Sequence, residues 1–133
     1  MWTGYRLGVQ KKELNLIAHP KRQYVRSAKL LNNIRYLHCQ ACGVDDQTVV
    51  GAHSNSSAHG KGRSIKADDN MVAALCWDCH HALDQGHYLN KEEKEQFWLE
   101  AHLRTIYNLI KSDLYPKDVP LPKTYLDWQN GLN

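Results

Sequence analysis

The sequence lacks any long apolar segment. No run approaches the roughly 18 consecutive apolar residues that a membrane-spanning helix needs, and residues 1–10 do not form the apolar centre of a signal peptide. Charge of one sign is not in strong excess, because 17 lysines and arginines stand against 14 acidic residues, for a net charge of +3. We therefore expect a cytoplasmic protein with no membrane partner. Its mildly basic charge permits binding to a polyanion but does not require it.

The chain also lacks internal repeats and low-complexity stretches, and its 133 residues predict one main domain. We expect a basic N-terminal arm (1–23), a central domain (24–112) and a proline-containing C-terminal strap (113–133). Three prolines between positions 116 and 122 predict that the strap is extended and not helical.

Apolar spacing gives a coarse prediction of the elements in the central domain. Three- and four-residue steps predict helices over 24–37 and 90–112, with Asn90 as the N-cap of the second. Short apolar or β-branched runs predict strands over 47–53 and 71–75. A further helix is expected over 76–85, ending at Gly86. These elements indicate an α+β fold.

Four cysteines form two C-x-x-C pairs, Cys39 with Cys42 and Cys76 with Cys79. In a reducing compartment such pairs favour metal binding over disulfides. Two intervening residues let both sulfurs of a pair reach one tetrahedral ion, and four thiolates suit zinc. Because four sulfur ligands leave no open position for a substrate, we expect a structural zinc ion. The long gap between the pairs predicts a folded insert of two strands and a loop.

Histidines are frequent, and two of them stand at positions suited to chemistry. His53 ends the first predicted strand, where its side chain can be held firmly. His80 directly follows Cys79, and Asp84 lies four residues further, so both share one helix face. An imidazole and a carboxylate at this spacing can hold a divalent ion that keeps open positions for water and phosphate.

The order of these residues resembles a known family. It reads C-x-x-C, a strand ending in histidine, a polar loop, then D-N-x-x-x-x-L-C-x-x-C-H. Over about 39–110 it resembles the zinc-containing HNH endonucleases, and among them the small phage and prophage nucleases of the YbcO-like group. The matching text is A-H at 52–53 and K-A-D-D-N-M-V-A-A-L-C-W-D-C-H-H-A-L-D at 66–84. The resemblance implies a ββα-metal motif inside a zinc-bound treble clef with four cysteine ligands, flanked by an N-terminal helix and a long C-terminal helix.

The resemblance also implies roles for individual residues. His53 matches the histidine that activates water as the general base, and His80 matches the last histidine, a ligand of the catalytic metal. Asn70 matches the middle asparagine, which orients the base. Asp69 is the alternative, because the spacing differs by about one residue from the commonest pattern.

One departure from the family pattern concerns the catalytic metal. Many members carry a metal-binding aspartate before the first histidine, whereas this chain has Ala52. We expect Asp84 to supply the missing carboxylate beside His80. Mg²⁺ is the expected ion, with Mn²⁺ or Ni²⁺ as alternatives because an imidazole ligand softens the site.

These expectations together indicate a metal-dependent DNA endonuclease that acts in phage or prophage DNA processing or recombination, in the cytoplasm of a bacterial host. A homodimer is a possible assembly. The alternative is a non-catalytic zinc module that binds nucleic acid or protein, which the alanine at position 52 keeps open. The polar loop carries three basic side chains that we expect to contact phosphates without reading sequence. They are Lys61, Arg63 and Lys66.

Overall fold

The computed structural model describes residues 23–131, which form a small α+β fold. This part of the chain contains four α-helices and a two-stranded antiparallel sheet, so the predicted α+β class is confirmed. The predicted N-terminal arm lies outside the described residues, apart from Gln23. In chain order the elements are α1 (Ala28–Ile34), β1 (Val50–His53), β2 (Val72–Leu75), α2 (Trp77–Gln85), α3 (Lys91–Lys111) and α4 (Lys123–Gln129).

The two strands form an antiparallel hairpin, whose register fixes how far His53 lies from Cys76. Val50 lies opposite Leu75, and His53 lies opposite Val72. Because a strand rises about 3.4 Å per residue, His53 stands about 10 Å from the end of the hairpin at which Cys76 follows β2. β1 is shorter than the predicted strand 47–53, since Gln47 adopts a left-handed backbone with φ 70° that an extended strand cannot contain.

β2 is the centre of the core. All four of its side chains are fully buried, and Ala73 and Ala74 are small enough to let a helix approach the strand closely. That helix is α3, whose 21 residues begin after Asn90 with a reciprocal capping box between Asn90 and Glu93. Within residues 23–131, no helix is both long enough and apolar enough to cross a bilayer.

Three side chains of α3 complete the hydrogen bonding of the hairpin backbone. The indole of Trp98 donates to the carbonyl of Ala52 at 2.9 Å. The Nδ1 atom of His102 lies 2.8 Å from the carbonyl of Val72, and the Thr105 hydroxyl accepts from the amide of Ala74 at 2.8 Å. Buried backbone groups that would otherwise lack partners are thereby satisfied, which fixes α3 to the hairpin.

The C-terminal strap differs from its prediction. Residues 123–129 form helix α4, so the prediction of an extended strap is wrong there. The three prolines precede α4, and Pro122 is its N-cap, a place where a missing N–H costs no helical hydrogen bond. Tyr125 of α4 is buried, which anchors the strap to the body of the protein.

Candidate functional site

The four cysteine sulfurs come together at one end of the hairpin. All four lie within 4.8 Å of one another, and the Sγ atoms of Cys42 and Cys76 are 3.7 Å apart. A tetrahedral ion with Zn–S bonds of about 2.3 Å requires sulfurs about 3.8 Å apart. The cluster could therefore hold a structural zinc ion, as the spacing of the cysteines predicted.

Each C-x-x-C pair forms a tight turn in which backbone amides point at sulfur. The amide of Cys42 lies 3.5 Å from Sγ of Cys39, and that of Cys79 lies 3.5 Å from Sγ of Cys76. Gly43 follows the first pair with φ +83°, a left-handed conformation that glycine adopts without strain. Such amides favour thiolates, the form that binds zinc.

The electrostatics of the cluster call for a cation. Burial raises the pKa of the Cys39 thiol, but amide hydrogen bonds from Cys42, Cys76 and Ala41 outweigh it and bring that pKa to about 6. Burial, followed by the proximity of the other three sulfurs, raises the pKa of Cys79 well above its ordinary value. Four adjacent thiolates repel one another, and a divalent cation removes that repulsion.

At the opposite end of β1, His53 meets a buried carboxylate. Its Nε2 atom lies 2.9 Å from Oδ1 of Asp69. The imidazole is about one-fifth exposed, whereas the Asp69 side chain is nearly inaccessible. Because an ionised carboxylate only accepts hydrogen bonds, Nε2 carries the proton that it donates to Asp69. In the neutral ring, Nδ1 is then the nitrogen that can accept a proton.

Asp69 is held in place by the segment before α1. The amide of Ser27 donates to its Oδ2 atom at 2.8 Å, while the guanidinium of Arg26 and the ammonium of Lys66 lie 3.8 Å and 3.6 Å from Oδ1. Burial opposes ionisation, but the hydrogen bonds from His53 and Ser27 and the charge of Lys66 together lower the pKa of Asp69. It is therefore a carboxylate at neutral pH.

Asn70, the residue expected to orient the base, has a different partner. Its amide nitrogen donates to the carbonyl of Pro120 at 3.0 Å, so it ties the hairpin to the C-terminal strap. The structure pairs His53 with Asp69, the alternative, because consecutive residues in this turn present their side chains to different sides.

His80 and Asp84 form a second histidine–carboxylate pair, on α2. Nε2 of His80 lies 3.2 Å from Oδ2 of Asp84, and both side chains are partly exposed. The helical spacing predicted this proximity. In the described part of the chain, no three side chains drawn from the two pairs have ligand atoms within 4.8 Å of one another. The pairs are thus separate groups and not one preformed cage.

The three basic residues of the loop do not lie in equivalent places. Lys66 stands beside Asp69, Lys61 donates to the carbonyl of Gly62 at 3.0 Å, and Arg63 is exposed in the turn that follows. Arg26 adds a cation that sequence analysis missed. It donates to the carbonyls of Ala67 and Lys66 at 2.9 and 3.1 Å, so it supports the loop near the His53–Asp69 pair.

Comparison with known proteins adds no family to this geometry. The chain matches no protein-family model, no curated protein and no solved structure. The HNH resemblance therefore stays a prediction that depends on the order of the residues.

A cavity lined in part by Ser54, the residue after His53, was not foreseen from the sequence. It has a volume of about 750 Å³ and lies between the loop after β1, α2 and the first turns of α3. A stack of three rings backs it, with centroids 5.5 Å apart for His59 and Trp98 and 4.6 Å apart for Trp98 and His102. These rings come from two distant segments, so no local sequence pattern indicates them.

Proposed function

We propose that this protein is a metal-dependent DNA endonuclease of the HNH type. The observation that carries the proposal is the His53–Asp69 hydrogen bond. It places an oriented, partly exposed imidazole at one end of a hairpin whose other end is attached to the cysteine cluster. An imidazole held by a buried carboxylate is a common arrangement for a general base.

His53 and Asp69 divide the work of proton transfer. Asp69 accepts the proton on Nε2, which fixes the tautomer and leaves Nδ1 to take a proton from an attacking water molecule. The carboxylate also stabilises the imidazolium that forms, because opposite charges lie in contact in a site with little solvent. General-base catalysis of this kind contributes about 10²–10⁴-fold to a rate.

His80 and Asp84 are the residues that would hold the catalytic ion. They offer one imidazole and one carboxylate, and Mg²⁺ commonly keeps several waters and binds through one or two carboxylates together with phosphate oxygens. When bound, such an ion supplies Lewis-acid stabilisation of the phosphate and of the leaving oxygen. Both side chains are partly exposed, so an ion held by them would keep positions open to solvent and to a phosphate.

Cations near the base give the substrate phosphates a place to bind. Lys66 and Arg26 lie beside Asp69, and Lys61 and Arg63 follow along the same loop. Contacts of this kind bind the backbone irrespective of sequence and weaken as the salt concentration rises.

The direct test is cleavage of supercoiled plasmid and of branched DNA by zinc-loaded protein in Mg²⁺ or Mn²⁺. We expect wild type to cut at least one of these, and His53→Ala to lose about 10²-fold or more of the rate. His87→Ala is the matched control, because His87 is an exposed histidine outside both pairs. Absence of cleavage by the folded wild type in every ion rejects the proposal. Equal rates for wild type and His53→Ala reject His53 as the general base.

The second candidate is a non-catalytic zinc module that binds nucleic acid or protein. It is favoured by Ala52, where the family carries a metal-binding aspartate, and by the absence of a preformed second cage in residues 23–131. If it is correct, DNA binding survives both His53→Ala and His80→Ala, and no cleavage accompanies it.

A further inference from the structure

The cavity between β1, α2 and α3 opens next to both histidine-bearing elements. Its wall includes Ser54, which directly follows His53, and Leu83, which lies one turn after His80 on α2. Since residues three apart on a helix are neighbours, the cavity is reached from β1 and from α2 beside the proposed reaction centre. None of the four residues of the histidine pairs lines the cavity, so a group bound in it would lie next to these elements without contacting the pairs themselves.

The lining combines an aromatic surface with hydrogen-bonding groups. His59 and Trp98 supply rings and Asn55 and Gln96 supply amides. The first turns of α3 add two cations and two carboxylates, from Lys91, Lys94, Glu92 and Glu95. Ligand cavities of about 300–1,000 Å³ accept small organic groups. A flat heterocycle whose polar edges both donate and accept hydrogen bonds matches this combination, in which the lysines and glutamates balance in charge.

The position of His59 is fixed from inside the protein. Its Nδ1 atom lies 2.7 Å from the hydroxyl of buried Ser54, and its ring stacks on Trp98, whose indole donates to the hairpin. Because Trp98 is buried in the middle of the stack, the ring face open to the cavity is that of His59. This ring is held in place before binding, so a base that stacks on it meets little entropic cost of ordering the protein.

We propose that this cavity receives one unpaired nucleobase of the DNA substrate, next to the phosphate that is cut. A base that is stacked and paired in a duplex cannot enter a cavity, whereas one that is bulged, branched or single-stranded enters without the cost of unpairing. The substrate class is then DNA with an unpaired nucleotide at the cleavage position. This inference rests on the proposed function, because it uses the histidine pairs as the reaction centre.

The test measures DNA binding by zinc-loaded His53→Ala protein. This variant lacks the proposed general base, so the DNA stays intact during the measurement. The probes are two duplexes with 2-aminopurine, a fluorescent base, either as a single bulged nucleotide or paired opposite thymine. Stacking of a base on aromatic side chains is worth about 1–3 kcal/mol, so we expect the bulged duplex to bind about tenfold more tightly. The emission of the bulged 2-aminopurine should also change on binding, while that of the paired base should not.

Two tryptophan substitutions separate the cavity from the surface around it. Asn55 is exposed and lines the cavity, so Asn55→Trp fills it from outside without disturbing the core. Ser57 is exposed in the same loop but does not line the cavity, so Ser57→Trp is the matched control. We expect Asn55→Trp to abolish the preference for the bulged duplex and Ser57→Trp to keep it. Zinc content and circular dichroism establish that both variants are folded.

The outcomes distinguish this inference from the proposed function. Equal binding of bulged and matched duplexes, or equal preference in Asn55→Trp and Ser57→Trp, overturns the cavity assignment even if the wild type cuts DNA. Failure of the wild type to cut any DNA overturns the nuclease, whatever the binding preference. Faster cleavage of bulged than of matched duplex by the wild type, lost in Asn55→Trp, supports both.

Discussion

Asp69 and Asn70 are neighbours in the chain, yet their side chains have different partners. One contacts His53 and the other contacts Pro120. The sequence predicted that a polar residue here would orient the base, and it left both residues open. The turn before β2 brings Asp69, and not Asn70, into contact with His53. The direction of each side chain depends on backbone angles that residue order does not encode.

Substitution of these two neighbours tests the assignment. Asp69→Asn keeps the size of the side chain and removes the charge, so we expect a loss of about 10²-fold or more in kcat with little change in KM. Asn70→Ala removes the hydrogen bond to Pro120, so we expect lower stability, by about 1 kcal/mol, and nearly unchanged kcat. Steady-state cleavage and urea denaturation measure the two effects. The reverse pattern would show that Asn70 orients the base.

The burial of His102 predicts that the stability of the folded protein depends on pH. Burial lowers its pKa to about 4, against a raising effect of the Val72 carbonyl. The carbonyl accepts from Nδ1, so Nε2 accepts from the hydroxyl of Thr124, 2.7 Å away. The folded state therefore prefers the neutral ring. Its contribution is complete above the unfolded pKa of 6.5 and is lost as the pH falls towards 4, because the unfolded chain binds the proton first.

The size of this effect is about 2 kcal/mol between about pH 7.5 and pH 5. Urea denaturation across that range measures it, and His102→Gln serves as the comparison because an amide does not titrate there. We expect the stability of the wild type to fall more steeply than that of the variant. Parallel slopes would mean that the loss comes from other groups, such as the cysteine thiolates.

At the scale of elements, strong periodic patterns were predicted well. Helix α3 runs from Lys91 to Lys111, against a prediction of 90–112. Helix α2 ends at Gln85 with Gly86 as its C-cap, as expected. Helix α1 begins later than predicted because Ser27 caps it, and it ends at Ile34, before the predicted end at residue 37. Helix α4 was not predicted, because the three prolines exclude helix only from the residues before it and not from the whole segment. Its stability comes from burial of Tyr125, a tertiary contact that local sequence does not show.

The attachment of α3 to β2 depends on one hydroxyl in particular. Thr105 accepts from the Ala74 amide and donates to the Ala101 carbonyl at 2.7 Å. Thr105→Val keeps the shape of the side chain but leaves a buried N–H without a partner, which costs about 1–3 kcal/mol. Urea denaturation should show this loss, whereas Thr105→Ser should retain the hydrogen bond. Destabilisation by Thr105→Ser but not by Thr105→Val would mean that the methyl group, and not the hydroxyl, matters.

At the scale of the whole molecule, the cysteine cluster joins two distant parts of the chain. Its first pair follows α1 and its second pair begins α2. Zinc sites of this type contribute about 10–16 kcal/mol, comparable with the entire stability of a small domain. The cluster itself was predictable, because C-x-x-C spacing is a local property, while the separation of the histidine pairs depends on packing.

Removal of the metal is therefore expected to unfold the central domain. A strong chelator should abolish the cooperative thermal transition, and added zinc should restore it. Cys42→Ser removes a ligand at an exposed position without leaving a cavity, and it should have the same effect as the chelator. Val44→Ser, also exposed, is the control and should remain folded. A cooperative transition in chelator would show that the fold does not need zinc.

The central claim is that one metal holds the fold and a second serves cleavage. Metal content and plasmid cleavage, measured on the same preparation of wild type and His80→Ala, test it most directly. We predict one tightly bound zinc per chain in both proteins, cleavage by the wild type only after Mg²⁺ or Mn²⁺ is added, and little cleavage by His80→Ala. Unimpaired cleavage by His80→Ala, or none by the folded wild type in any divalent ion, would contradict the account.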